Sequence, residues 1–455
     1  MKSSILLRNV LPLIVTTVAF LSSFAQQRLT LKDCLGYATA NNHELIVAGY
    51  NVVIANKKVT EQTGNYLPQV NATGTFDDNL ALSTQLLPAE MTGGTPGTYI
   101  PVKFGTKYSV NGGLSVTQKI FDAGTLLQIK TARLNQGILK LDQQQTDLNV
   151  AYNISLSFYQ SLVIQMQLEG LKSTLVSSEK SLNSIDLKFK NGMAKKVDVD
   201  KIKVSYNNTK SQLEQAKLNY AQSLNLLKYN MGMPIDSGLV LAESSASEEY
   251  EVFIRDAIGK FRIEDNIDYQ LKKSNVAVMK LDRNSKRSAF YPTLSFYGNY
   301  NQNAMRQEFT FFRSGNAWYP SSGIGLKLSI PIFDGFQRTS RLSQSELGMK
   351  IARENVLTAE QSIRLEISND EVQYKNALDN IEREMENLEL AKGVYVETQQ
   401  EYQQGTCSTV DVVQSESSYL VAQSTYYNKL LKLYLARIDL EKSKGSLLSF
   451  INNLK

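Results

Sequence analysis

The sequence predicts a helix-dominated fold with a small β part, and three observations lead to that fold class. Two long stretches carry apolar residues at seven-residue spacing, as coiled coils do. Shorter stretches beside them alternate polar and apolar residues, as strands do. The same marks also occur twice, because Asp122 and Asp198 recur as Asp334 and Asp411 at shifts of 212 and 213 residues. A period of this length indicates two copies of one structural unit.

Each copy contains a tyrosine and proline at a strand opening and an Ile-Phe-Asp mark at a strand end. Pro68 recurs as Pro292, a shift of 224 residues. The surplus of twelve residues over the shift of 212 therefore lies in one connection of the first copy, between the proline and the Phe-Asp mark. We assign residues 26–240 to the first repeat and residues 241–455 to the second.

Residues 1–25 have the pattern of a secretory signal peptide. Lys2 and Arg8 supply the positive start, an apolar core follows, and Ser23 and Ala25 form a small-x-small cleavage site. After this segment no apolar run reaches about twenty residues, the length that a membrane-spanning helix needs. The chain is therefore expected to be exported.

The longest helices follow the seven-residue spacing. In the first copy the apolar stripe runs through Leu127, Leu134, Leu141 and Leu148, and no proline interrupts it before Gly192. About 66 residues of helix make a rod of roughly 100 Å. The pattern resumes after the glycine in both copies, so each rod is expected to turn back as a hairpin. The predicted helices are 31–62, 125–190 and 197–229 in the first repeat, and 267–288, 336–404 and 410–450 in the second.

Four segments alternate with a period of two, and we predict strands over 66–78, 107–121, 291–300 and 322–332. Their length suits tilted strands that span an outer membrane, although alternation alone also fits soluble hairpins. Aromatic residues at the strand ends favour the membrane alternative, because aromatic girdles mark the membrane interfaces of such strands. These residues are Tyr99, Phe104, Phe309, Phe311, Phe312, Trp318 and Tyr319.

Four strands in one chain leave two open sheet edges. Lipid does not tolerate open edges, because each unpaired backbone group costs several kcal/mol there. Subunits must therefore join to close a barrel. Two chains would give eight strands and an interior filled by side chains, whereas three chains would give twelve strands and a lumen. A water path along the helices requires the larger number, so we predict a homotrimer.

The composition excludes several classes of function. His43 is the only histidine, and one histidine does not build a zinc site. Cys34 and Cys407 lie in different contexts and form no disulfide framework. Without the signal segment 47 basic and 44 acidic side chains remain, a balance that does not favour nucleic acid as a partner. The sequence predicts no enzyme, no cofactor and no metal site.

The turns of the two rods carry related segments. Residues 189–199 read FKNGMAKKVDV, and residues 402–412 read YQQGTCSTVDV. With the doubled strand openings and Ile-Phe-Asp marks, these segments closely resemble the TolC family of outer-membrane efflux ducts, from about Leu29 to Phe450. The resemblance implies a homotrimer in outer-membrane lipid, with a twelve-stranded β-barrel and a long periplasmic α-helical barrel. It also implies docking to a periplasmic adaptor protein and an inner-membrane pump.

The resemblance also implies a gate at the periplasmic end. By motif position Tyr402 would bond to Asp198, but the position of the arginine that completes this latch in some family members holds Cys407. Asp411 corresponds to a ring of aspartates at the narrowest point, and Gln414 occupies the position of a second ring. A simpler interpretation of Asp411 is that Ser408-x-x-Asp411 is a capping box.

The turns themselves would form the surface that meets the adaptor. By resemblance these adaptor-contact positions are Gly192, Met193, Ala194, Gly405, Thr406 and Cys407. The two glycines are first of all turn residues.

The predicted function is that of a passive duct which carries substrates from the inner-membrane pump and the adaptor across the periplasm and the outer membrane. The alternative is a structural or adhesive trimeric coiled-coil protein anchored in the outer membrane. The duplicated hairpin with two strand pairs distinguishes the two, because a simple stalk does not need it.

Overall fold

The computed structural model describes residues 28–242, 251, 253–254 and 261–454 of the 455-residue chain. The predicted signal peptide therefore lies outside the described residues. The helices in these ranges are α1 (Leu31–Asn41), α2 (His43–Gly64), α3 (Ala123–Lys190), α4 (Lys196–Met231), α5 (Ile267–Ser288), α6 (Gln337–Gln404), α7 (Thr409–Ser443) and α8 (Leu447–Asn452). The strands are β1 (Arg28–Leu29), β2 (Gln69–Asp78), β3 (Thr84–Pro88), β4 (Tyr99–Lys103), β5 (Tyr108–Phe121), β6 (Val240–Leu241), β7 (Thr293–Arg306) and β8 (Tyr319–Ser329).

The order of a helix, two sheet strands, a long helix and a return helix occurs twice along the chain. The long helices α3 and α6 have 68 residues each, which corresponds to about 100 Å. α3 packs along α2 and α4, and α6 packs along α5 and α7. Contacts of α3 with α5 and α7 join the two halves. None of the helices in the described ranges combines the length and the apolar character that crossing a bilayer requires.

The two Phe-Asp marks lie where a strand ends and a long helix begins. Asp122 accepts a hydrogen bond from the Thr125 backbone amide at 3.2 Å, and Asp334 accepts one from the Arg338 amide at 3.0 Å. Backbone amides at a helix start have no partner inside the helix. The repeated aspartate satisfies one of them in each copy, which explains why the same mark precedes both rods.

Two of the predicted helices are each divided in the structure. The predicted helix 31–62 is interrupted at Asn42, which adopts extended backbone angles and accepts hydrogen bonds from two amides at the start of α2. An asparagine in this position caps a new helix rather than continuing the old one. The predicted return helix 410–450 ends at Ser443, because Gly445 has a φ of +75°, and the short α8 follows. Because the apolar pattern continues on both sides of each break, the periodicity of the sequence does not reveal where the helix is interrupted.

One four-stranded sheet has the order β2-β5-β7-β8, and every neighbouring pair is antiparallel. Compared with the predicted segments, β2 begins three residues later, at Gln69, and β7 extends to Arg306. β8 is displaced towards the loop and begins at Tyr319. The pairing of β5 with β7 is irregular between Lys119 and Phe121. The sheet thus connects both halves of the chain through its central pair of strands.

The surplus residues of the first copy form a separate hairpin. β3 and β4 pair with each other between β2 and β5, and a single turn of 3₁₀ helix, Ala89–Thr92, lies between them. The hairpin forms its own two-stranded sheet. The sequence places the surplus in this connection but does not predict the hairpin that it forms.

The largest apolar core lies midway along the rods, where α1, α3, α4, α6, α7 and α8 meet. Three aromatic rings form its centre. The Phe253 ring lies 4.9 Å from that of Tyr159 and 4.6 Å from that of Tyr434, measured between centroids. Beside them Arg437 and Glu441 form an almost fully buried ion pair at 2.9 Å. This core fixes the two hairpins relative to each other above their turns.

Candidate functional site

One face of the four-stranded sheet is apolar and open to solvent in the isolated chain. The register places Val70, Val116, Gly298 and Ile324 side by side on this face. Six large apolar side chains on it are half exposed or more, among them Ile324 at 82%. An exposed apolar surface of this kind normally marks a contact with lipid or with another protein. The other members of this face include Ala72, Phe76, Val110, Leu114, Phe296, Leu326 and Leu328.

The opposite face of the sheet is polar and rich in asparagine. Asn111 and Asn303 are direct neighbours, and the Asn111 side-chain amide donates to the Asn303 side-chain oxygen at 2.6 Å. Asn303 in turn donates to the Ser321 hydroxyl at 3.3 Å. Further polar members of this face are Asn71, Thr73, Thr75, Ser115, Asn299 and Asn301. A strand with one apolar and one polar face is typical of a wall between lipid and water.

Both edges of this sheet are open in the single chain. Within the described residues, β2 pairs only with β5, and β8 pairs only with β7. Each outer edge therefore presents a row of unpaired backbone groups.

Aromatic side chains collect at the loop end of the sheet. The Phe309 ring lies 5.7 Å from Phe76 and 5.6 Å from Phe311, in edge-to-face geometry. Phe311 also contacts Trp318 at 6.5 Å and lies beneath the Arg306 guanidinium at 5.5 Å. Four of the predicted aromatic residues thus form one connected group with Phe76, because Phe312 contacts Phe309 at 6.3 Å.

At the far end of the rods the two hairpins contact each other through a small apolar group, which we call the tip cluster. It consists of Ile185, Ile202, Tyr402 and Val412. Ala194 and Cys407, both predicted at the adaptor-contact turns, are half-buried against it. The remaining turn residues Gly192, Met193, Gly405 and Thr406 are exposed. Gly192 and Gly405 have φ values of +75° and +84°, conformations that glycine adopts without strain.

The predicted hydrogen bond between Tyr402 and Asp198 is absent, which corrects the sequence interpretation. The Tyr402 hydroxyl is buried and has no hydrogen-bond partner within the described chain. Burial raises the pKa of Tyr402; the Thr409 side chain opposes this rise, and the negative charge of Asp198 adds to it. Asp198 is thus near enough to act on Tyr402 electrostatically. The Thr409 side chain also lies close to this hydroxyl.

A lysine contacts Tyr402 instead. The Lys188 ammonium donates to the Tyr402 backbone carbonyl at 3.0 Å and lies 4.5 Å from the centroid of its ring. Lys188 belongs to α3 and Tyr402 to α6, so this contact joins the two hairpins. In the family members with the latch, the cation corresponds to position 407, on the same hairpin as the tyrosine, where this chain has a cysteine. In this chain a lysine of the other hairpin contacts the tyrosine.

Asp411 and Gln414 are exposed and lie outside the tip cluster. Asp411 accepts hydrogen bonds from the Ser408 backbone amide at 2.9 Å and from its hydroxyl at 2.7 Å. The Ser408 hydroxyl also accepts from the Asp411 amide, so the predicted capping box at the start of α7 is confirmed. The hydrogen bonds from Ser408 lower the pKa of Asp411. Among the side chains that the structure describes, no group of three or more His, Cys, Asp or Glu residues is placed to hold a metal ion.

The family model for outer membrane efflux proteins matches residues 35–232 and 270–446, which is more than half of the chain. The chain belongs to the outer membrane efflux protein family. The fold prediction of a helix-dominated, TolC-like chain is confirmed, as are the outer-membrane location and the expectation of a channel protein rather than an enzyme.

This efflux protein matches known relatives along most of the length of both chains. Outer membrane protein TolC of Vibrio cholerae is 19% identical over 446 residues, which cover 97% of this chain and 96% of the relative. The CmeC outer membrane channel of Campylobacter jejuni has a TM-score of 0.72 at 16% identity, covering 92% of this chain and 86% of the other. The open state of the MtrE outer membrane channel of Neisseria gonorrhoeae has a TM-score of 0.68 at 16% identity, covering 92% and 89%.

Sequence reasoning missed a buried carboxylate between the hairpins. Glu416 on α7 is 3% exposed. It accepts hydrogen bonds from the Ser178 hydroxyl on α3 and from the Thr209 hydroxyl on α4, the latter at 3.1 Å. It lies four residues after Val412, on the buried line of α7, and a charged residue on an apolar stripe was the signal that could have identified it.

Proposed function

We propose that this efflux protein is the passive outer-membrane duct of a tripartite export system. In this proposal three copies form one twelve-stranded β-barrel above a continuous helical tube. An inner-membrane pump and a periplasmic adaptor deliver substrates to the far end of the tube. The duct carries out no chemistry, and the pump supplies the free energy.

The observation that carries this proposal is the two-faced sheet with both edges open. An apolar face suits lipid, and the asparagine-rich face suits a water-filled lumen. Open edges in lipid are costly, so the edges of β2 and β8 require pairing with other copies. Eight strands from two copies enclose a lumen that side chains fill, whereas twelve strands from three copies leave a channel.

The paired turns at the far end support a role in closing the tube. Lys188 and Tyr402 connect the hairpins of one subunit, and the Asp198 charge lies close by. We propose that Asp411 and Gln414, which are exposed beyond the tip cluster, border the narrow opening in the trimer. The exposed turn residues Gly192, Met193, Gly405 and Thr406, with the half-buried Ala194 and Cys407, then form the surface that meets the adaptor.

The test measures assembly and conductance on the same preparation. We expect purified protein in mild detergent to have the mass of a trimer and to form channels in planar lipid bilayers. A monomer that retains all of its β-structure would contradict the closed barrel. A trimer that conducts no ions, even with Lys188 and Tyr402 both replaced by alanine, would favour a structural or adhesive stalk instead.

A further inference from the structure

The two hairpin ends carry opposite charge at equivalent positions. Residues 180–203 contain seven lysines and three aspartates, a net charge of +4. The equivalent residues at a shift of 213, 393–416, contain four acidic residues and no lysine or arginine, a net charge of −4. Lys188 corresponds to Glu401, so the duplication keeps a charged side chain at this position and reverses its sign.

Lys188 shows in which direction a side chain at this position points. From the first hairpin it reaches the second hairpin of the same chain, at the Tyr402 carbonyl and ring. Its equivalent Glu401 is exposed on the second hairpin. Among the described residues, the Glu401 carboxylate has no ion pair and no side-chain hydrogen bond. Its negative charge acts on Cys407 of its own hairpin, and its exposed side leaves it accessible to a neighbouring subunit.

We infer that Glu401 contacts the first hairpin of the neighbouring subunit, where lysines neutralise it. This inference rests on the proposed trimer. In a ring of six hairpins, the first and second hairpins of successive subunits alternate. Each second hairpin therefore lies between two first hairpins, one from its own subunit and one from the next. The contact within a subunit is then repeated, in an equivalent arrangement, across the subunit boundary. The residue equivalent to Tyr402 in that second contact is Phe189, which is 40% exposed in the single chain.

The alternation of charge makes this contact attractive at every boundary in the ring. Each acidic hairpin end lies between two basic ends, so unlike charges face each other throughout. Unlike charges across an interface fix the register and reject the wrong neighbour.

Chemical cross-linking distinguishes contacts within a subunit from those between subunits. Two double variants are compared in a Cys407→Ser background with a short bismaleimide reagent. Lys188→Cys with Tyr402→Cys is expected to react within one chain and to migrate as a monomer on a denaturing gel. Phe189→Cys with Glu401→Cys is expected to give covalent dimers and trimers. A particle with trimer mass in which the second pair yields only monomers would overturn the inference, whereas a particle that is not a trimer would overturn the proposed function.

A charge-reversed variant tests the same contact without cysteines. Glu401→Lys places a positive charge against the basic hairpin end, and we expect the open fraction of the channel to rise about tenfold at 0.1 M salt because three exposed ion pairs are lost together. The rise should be much smaller at 1 M salt, where the screening length is about 3 Å. Glu389→Lys serves as the matched control. Glu389 lies on the same helix, α6, one to two turns before Tyr395 and therefore farther from the hairpin end than Glu401. Equal conductance of the two variants at low salt would contradict the inference.

Discussion

Lys188 and Tyr402 join the ends of the two hairpins although 214 residues separate them in the sequence. The ammonium lies 3.0 Å from the tyrosine carbonyl oxygen and 4.5 Å from the ring centroid. The carbonyl belongs to the last turn of α6, where it also accepts a hydrogen bond from the Gly405 backbone amide at 3.2 Å and carries the partial negative charge of a helix C-terminus. The Lys188 ammonium thus contacts both the carbonyl end of helix α6 and the face of the Tyr402 ring.

Replacing Lys188 by methionine should therefore loosen the closed end. The variant keeps most of the aliphatic side chain but loses a hydrogen bond and a cation–π contact, together worth about 1–2 kcal/mol. We expect a higher single-channel open probability. Lys190→Met is the matched control, because Lys190 pairs with Asp186 on its own helix at 2.6 Å. A Lys188→Met channel as closed as the control would contradict this role.

Replacing Tyr402 by phenylalanine should have little effect on stability or conductance. The hydroxyl is buried without a hydrogen-bond partner in the described chain, and removing such a group is nearly neutral or stabilising. Tyr402→Leu should open the channel more, because the ring beneath Lys188 is lost. A marked rise in conductance for Tyr402→Phe would show that the hydroxyl finds a partner on a neighbouring subunit.

The hydroxyl of Thr209 should stabilise the buried carboxylate of Glu416. Thr209→Val keeps the shape but removes a hydrogen bond to a charged group, at a cost of about 1.5–3 kcal/mol. The measurement is hydrogen exchange of the hairpin ends, which should become faster. Thr358→Val is the control, since this exposed threonine bonds only to the Glu354 carbonyl of its own helix. Equal exchange in both variants would contradict the prediction.

Two glycines of α3 should respond oppositely to alanine. A Cβ at Gly170 would lie 2.5 Å from the Gln423 amide nitrogen, and Gln423 is 4% exposed and donates to the Tyr419 hydroxyl at 3.1 Å. Gly170→Ala should therefore cost about 1 kcal/mol or more. Nothing lies within 4 Å of a Cβ at Gly137, so Gly137→Ala should stabilise the helix by about 0.5–1 kcal/mol. Thermal unfolding followed by circular dichroism checks both signs.

Asp411 should make the periplasmic opening sensitive to trivalent cations. Three carboxylates near the trimer axis supply converging oxygen ligands, whereas Gln414 adds no charge. We expect block from the periplasmic side in the unmodified duct and none in Asp411→Asn. Because the hydrogen bonds from Ser408 lower the pKa of Asp411, we expect the carboxylate to stay charged in mildly acidic solution, and block should be constant between about pH 7 and pH 5.

Two outcomes would count against this role of Asp411. Block that survives in Asp411→Asn would place the cation site elsewhere. Failure of that variant to assemble would leave only the capping role, which Ser408→Ala tests separately: losing this cap should cost about 1 kcal/mol of helix stability without changing block.

The sequence by itself determined the helical rods, their turns at Gly192 and Gly405 and the alternating strands. These features follow from local rules, because a period of seven or two and a helix-breaking glycine act over a few residues. It also indicated the capping box of Ser408 with Asp411. The break at Asn42 depends on local chemistry too, but an apolar stripe that continues on both sides concealed it.

Only the tertiary structure decided how the side chains of different helices meet. Lys188 with Tyr402 and Thr209 with Glu416 are separated by 214 and 207 residues. Which side chains touch across such distances depends on the rotation and stagger of each helix, and close packing of the whole core fixes both. The resemblance implied a hydrogen bond from Tyr402 to Asp198, which the described chain does not contain. Tyr402 packs with side chains from three helices, α3, α4 and α7, and no local pattern contains such a grouping.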